Sequence, residues 1–242
     1  MTSPVVRDDT RKRLLGDAQR ARNRGRDVRA IALYRRVLRE SPRDIDVALR
    51  LAPLLARRGE EFEAWQLFRA AARELAQARR YKDCLGVYRD ACRALPREFE
   101  AWRLRAELEL KLGDEEIAYE TLLDARAHFR DVRSRAQAIE LLTRARVIEP
   151  WDAEVVLDLA RLYARSDQPD AALDLLSSLA RRTGPVCDPR VHALQWRVTL
   201  SFRYAWMWVR SVWGQARGGA TAAPRVPPPF EERESASEAS LH

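Results

Sequence analysis

The sequence predicts an all-α fold, an α-solenoid of antiparallel helices, and three observations carry that expectation. Ala, Leu, Arg and Glu dominate 242 residues that include only nine Gly and twelve Pro, a balance that favours helix. The 33% charged fraction suits helices with one wet face. The third observation is an internal repeat of 54 residues. "AIALYRRVLRESP" closes on Pro42, "CLGVYRDACRALP" on Pro96 and "AIELLTRARVIEP" on Pro150.

Each 54-residue unit reads as three helices, about 28–41, 44–58 and 60–80 in the first. Small residues at Ala30, Ala64, Cys84, Ala118, Ala138 and Ala172 alternate spacings of 34 and 20 and mark close helix approaches. Tyr34, Tyr88 and Leu142 share one register, and Ala52, Ala106 and Ala160 another. Gly59, Gly113 and Asp167 fall where one helix must end in a left-handed residue, which Gly adopts freely and Asp tolerates. Pro53 stands inside helix 44–58, where it withholds a donor from the Leu49 carbonyl and bends the helix. In helix 151–166, Val155, Leu159, Ala160 and Tyr163 form the buried stripe while Asp158, Arg161 and Arg165 lie off it.

The stretch from Leu194 to Gly214 holds four of the seven tryptophans. Its first half alternates apolar and polar residues like a strand, but a lone strand has nothing to pair with. From Ser201 the pattern is helical, with Phe202, Ala205, Trp206, Val209, Val212 and Trp213 on one face. A helix over 202–213 is expected, started by Ser201 and stopped by Gly214, and it would cap the last hairpin. Tyr204 and Trp208 would project from a second side. The tail "QARGGATAAPRVPPPFEERESASEASLH" is poor in apolar residues and broken by Gly and Pro, which predicts disorder. The expected organisation is a helical repeat domain over 1–182, Trp/Arg-rich capping helices over 183–214 and a disordered tail over 215–242.

A small residue, a Gly turn, Ala, an aromatic residue, Ala and Pro within about 34 residues resemble the tetratricopeptide repeat, in a bacterial form. Residues 11–44 carry Gly25, Ala30, Tyr34 and Pro42; residues 45–78 carry Ala52, Gly59, Ala64, Phe68 and Ala71. Residues 99–132 carry Trp102, Ala106, Gly113, Ala118 and Ala125; residues 153–182 carry Ala160, Tyr163, Ala172 and Leu176. The sequence departs from that family in its three-helix units. Helix 60–80 would serve as the second helix of one repeat and the first of the next.

The resemblance implies a non-catalytic scaffold or adaptor that binds a peptide or helix of a partner protein. If the first helix of each repeat lines the groove, Leu49, Arg57, Arg103, Glu107, Lys111, Leu157, Arg161 and Arg165 would face the partner, and the cations among them suit an acidic segment. The alternative is a peripheral membrane adaptor that lays helix 202–213, with Tyr204 and Trp208, on anionic lipid. The Lys and Asn clamp by which part of the family grips a terminal carboxylate has no match here.

The net charge of +8 invites a nucleic-acid reading, but 41 of the 44 cations are Arg and they alternate with acids, leaving no basic stripe. Such Arg excess is a mark of GC-rich coding. Cys84, Cys92 and Cys187 form neither a disulfide framework nor a zinc spacing, which suits the cytoplasm. The N-terminus has no apolar core for a signal peptide, and no run of about 18 apolar residues exists to cross a bilayer. His128, His192 and His242 make no paired motif, and no Gly-rich phosphate loop or nucleophile elbow is present, so neither enzyme chemistry nor a cofactor or metal is expected.

Overall fold

The computed structural model describes residues 4–184, 188–199 and 207–209. The chain divides into two compact units, Met1–Arg182 and Thr183–His242. The first unit is built from α1 (Pro4–Asn23), α2 (Asp27–Glu40), α3 (Ile45–Arg57), α4 (Glu61–Gln77), α5 (Tyr81–Ala94), α6 (Phe99–Lys111) and α7 (Glu115–His128). A 3₁₀ turn at Val132–Ser134 follows, then α8 (Arg135–Ile148), α9 (Ala153–Ala164) and α10 (Pro169–Thr183). From α1 to α9 each helix packs on the next, so the core is a continuous seam and not a single central cluster. The fold is an all-α, tetratricopeptide-like solenoid, with no strand among the described residues.

The helix–helix turns explain why the sequence repeats as it does. Gly25, Gly59, Gly113, Asp167 and Arg79 all have positive φ, between 56° and 85°. At each of them the next residue's N–H reaches back five residues to a carbonyl: Arg26 to Ala21, Glu60 to Leu55, Arg80 to Leu75, Asp114 to Glu109 and Gln168 to Tyr163. That closes the helix end, and the same residue's carbonyl opens the next helix by accepting from Ala30, Ala64, Cys84, Ala118 or Ala172. The small side chain is therefore fixed four residues after the turn, where all five are buried at 2% exposure or less.

Arg79 stands 54 residues after Gly25 and does the work of a glycine with a side chain that disfavours it. Arg79→Gly should raise the urea-unfolding free energy by about 1 kcal/mol, and Asp167→Gly by less, because Asp accepts the left-handed region more readily. An unchanged Arg79→Gly midpoint would mean that the turn is not under strain.

The proline turns are capped by acids in the same 54-residue register. Asp44 accepts from the Val47 N–H at 3.2 Å, Glu98 from Glu100 at 3.2 Å, and Asp152 from Glu154 and Val155 at 2.8 and 3.1 Å. The helix two before the capped one steadies two of these caps, through Arg11 of α1 on Asp44 and through the Tyr119 hydroxyl of α7 on Asp152 at 2.7 Å. Burial works to raise the Asp152 carboxyl, but the Tyr119 hydroxyl and the two N–H groups outweigh it and hold it below the ordinary aspartate value. The corresponding position in the middle unit is Trp65, and there burial leaves the Glu98 carboxyl raised.

Pro53 sits within α3, which runs on through it to Arg57. In the second unit, α11 (Pro189–Thr199) is helical despite its strand-like alternation, with Val191, His192 and Gln195 buried. Residues 207–209 are helical; the rest of the helix expected over 202–213, and the tail over 215–242, lie outside the described residues.

Candidate functional site

Two clefts in the first unit fall in one repeat register. The first, of about 620 Å³, lies between the start of α3 and the face of α5, with the end of α4 as its third wall. Arg43, Asp46 and Leu49 line one side, and Arg80, Asp83 and Gly86 the other. The second, of about 550 Å³, is lined by Arg97, His128, Phe129, Ser134 and Gln137. Arg97, Phe129, Ser134 and Gln137 stand 54 residues after Arg43, Leu75, Arg80 and Asp83, so the repeat makes the cleft twice.

One pair of positions, first Arg43 and Glu74, recurs at 54-residue spacing in all three units. Arg43 lies 3.8 Å from Glu74. In the next unit Arg97 and His128 take those positions; Arg97 turns to Asp131 at 3.6 Å, and the His128 ring stacks on Trp102 at 5.4 Å between centroids. In the third, Arg182 lies over the Trp151 ring at 5.5 Å. Trp102 is anchored in turn by its indole N–H, which donates to the Pro96 carbonyl at 3.0 Å.

Gly86 lines the first cleft. It sits inside α5, where glycine costs helix stability by about 1 kcal/mol relative to alanine. No atom lies within 4 Å of where its Cβ would be, and its φ is not in the left-handed region. Neither packing nor backbone demands a glycine here. What its absence of a side chain does is leave the cleft open.

The polar groups expected to face a partner are largely engaged within the chain. Arg57 pairs with Asp27 at 3.1 Å. Arg103 bonds Glu100 and Glu107 at 2.9 and 3.0 Å, and Arg144 of α8 bonds Glu107 at 2.8 Å and Glu140 at 3.0 Å. This chain of five charges ties α6 to α8 and carries one more acid than base, so it offers no cationic surface. Leu157 is a correction: it is fully buried and belongs to the core, not to an open groove. Leu49 does line the first cleft, Lys111 and Arg165 are exposed, and Arg161 is half-buried. Trp208 is 40% exposed, and Tyr204 lies outside the described residues.

One polar cluster was not expected from the hydrophobic pattern. Glu109 of α6 is completely buried, accepts from the Thr121 hydroxyl at 2.7 Å and from Arg105 Nε at 3.0 Å, and lies 3.7 Å from Arg89. Its register neighbours are Leu55 and Tyr163; those of Arg105 are the buried leucines Leu51 and Leu159. Comparing units in register would have exposed this exchange of leucines for an ion pair. The thiol of Cys92 beside this cluster is pushed up to about 12 by burial, and burial raises that of Cys84 as well, which disfavours the thiolate form of both. Among the described residues there is no group of three metal-ligating side chains.

A sequence model of the tetratricopeptide repeat matches residues 133–197. The chain is tetratricopeptide-like. A search of curated proteins finds no match. Among solved structures, this tetratricopeptide-like chain is similar to MamA at 13% identity, covering 90% of this chain and all of that one, with a TM-score of 0.31. It is similar to PilF of Pseudomonas aeruginosa at 18% identity, over 87% of this chain and 92% of that one, TM-score 0.31. BtubC from P. vanneervenii is 18% identical over 93% of this chain and 99% of its own, TM-score 0.40. At these identities and scores no function passes from those proteins to this one. No helix among the described residues is long and apolar enough to cross a membrane. Nothing among the described residues supports the lipid-surface alternative.

Proposed function

We propose that this tetratricopeptide-like chain is a non-catalytic scaffold or adaptor that holds segments of a partner protein in its register-repeated clefts. The observation that carries the reading is Gly86, a helix-interior glycine with no packing or backbone reason to be glycine, which lines one of those clefts. The tetratricopeptide repeat match supports it, because helical repeats of this kind commonly present surfaces to other proteins. Two buried free cysteines fit a reducing compartment such as the cytoplasm.

Gly86→Phe tests the reading. The ring enters open space from a helical backbone, so the variant should match or slightly exceed wild-type stability. Immobilised wild type and Gly86→Phe are compared for the proteins they capture from lysate of the source cells. The proposal expects a partner held by the wild type and depleted at least fivefold on the variant. A partner set that is identical on both proteins contradicts it.

A further inference from the structure

The solenoid repeats its turns faithfully except at one place. Residue 133 is the register successor of Gly25 and Arg79, yet it makes no left-handed turn. Instead α7 stops at His128, 54 residues after Glu74 and so three residues before the end of the corresponding α4, and the chain crosses to α8 through the 3₁₀ turn Val132–Ser134. A cleft lies on each side of that turn, of about 550 and 530 Å³; the first is the register counterpart of the α3–α5 cleft, and Phe129, Asp131 and Val132 line both.

Charge concentrates where the repeat breaks. Arg97, Arg126, Arg130, Arg133, Arg135 and Arg165 line the two clefts, against Asp131 and Asp158 alone, a formal +4. The register counterpart of the first of these clefts has Arg43, Arg80 and Lys82 against Asp44, Asp46, Asp83 and Asp90, a formal −1, where that cleft itself has Arg97 and Arg133 against Asp131, a formal +1. Helix C-termini attract cations through the macrodipole, but that effect is common to every unit and does not explain the contrast. The cations arrive from six places in the chain: the α5–α6 turn, α7, the link after α7, the 3₁₀ turn, α8 and the residue that follows α9.

Their pairing divides them into two sets. Arg126 lies 3.0 Å from Asp158, Arg97 lies 3.6 Å from Asp131, and Arg135 donates to the Arg165 backbone carbonyl. Each of these three has a partner within the protein. Arg130, Arg133 and Arg165 are exposed, with no acid within 4 Å among the described residues. Between them Val132 is 75% exposed, an apolar contact in the middle of an unneutralised cationic rim.

We propose that this two-sided cleft binds an acidic peptide segment of the partner protein, its carboxylates on Arg130, Arg133 and Arg165 and an apolar side chain against Val132. The proposal rests on the scaffold reading and names the class of partner at the second cleft. A nucleic acid fits less well, since Asp131 and Asp158 interrupt the cations and no continuous stripe follows.

The test uses the full chain and a fluorescein-labelled twelve-residue peptide of glutamates with leucine at every fourth position. Its glutamine counterpart is the control, and both are read by anisotropy at low salt. The glutamate peptide should bind, the glutamine peptide at least tenfold more weakly. Arg130→Glu with Arg133→Glu should weaken binding about tenfold, as the loss and reversal of two exposed charges allows. Arg36→Glu with Arg39→Glu, at exposed positions of α2, makes the same change in net charge and should alter binding less than twofold, with circular dichroism confirming that both variants are folded. Equal loss in the two variants, no binding of the glutamate peptide, or tighter binding of a single-stranded DNA of equal length through the same arginines would each overturn the proposal. If the acidic peptide fails while Gly86→Phe still releases a captured partner, the acidic class is wrong and the scaffold reading stands.

Discussion

Glu109→Leu should destabilise the protein by about 3 kcal/mol, although leucine is what the preceding unit uses at that register. The carboxylate is completely buried and holds Thr121 and Arg105. Removing it strands the Arg105 guanidinium, only 19% exposed, among α5, α6 and α7 without its counter-charge. The cation–π contact of Arg105 with Trp102, at 5.9 Å, does not replace an anion. The triple change Arg105→Leu, Glu109→Leu and Thr121→Leu should return to within about 1 kcal/mol of wild type or exceed it, because an apolar core carries no desolvation cost. Urea unfolding of the single and triple variants measures both. A triple variant as unstable as the single one would mean that the middle unit depends on its polar cluster for more than charge balance.

The second large effect falls on α4. Phe68 is fully buried on a helix that packs against α3 before it and α5 after it. Phe68→Ala should cost about 4 kcal/mol, the usual range for emptying an aromatic site in a core that cannot collapse onto it. The distribution of that loss matters as much as its size. In an ordinary two-helix repeat the damage would centre on the hairpin α3–α4. Where α4 belongs to two repeats at once, α5 should lose protection to the same degree.

Much of the fold was legible because repetition multiplies weak signals. Gly59, Gly113 and Asp167 gave one class of turn, and the small residues from Ala30 to Ala172 gave the close contacts that those turns fix four residues later. Arg79 was missed because nothing in an arginine side chain announces a left-handed backbone; only its distance from Gly25 does. The 3₁₀ turn at Val132–Ser134 has no local signature either, and its arginines resemble those at other helix ends until the clefts beside it are seen. Leu157 was misplaced because its register holds an open position in α3 and a buried one in α9, so identical spacing does not mean identical exposure. The site suffered more than the fold for a general reason. Helix periodicity decides which face is buried, but whether Arg103 and Arg57 are free or already paired depends on acids as far as 30 positions away in the sequence.

Native-state hydrogen exchange on Phe68→Ala and wild type tests the shared-helix arrangement, from which both clefts follow. The account predicts that amides in α3 (Ile45–Arg57) and in α5 (Tyr81–Ala94) lose protection together and by similar factors. Loss confined to α3, with α5 exchanging as in the wild type, would contradict it.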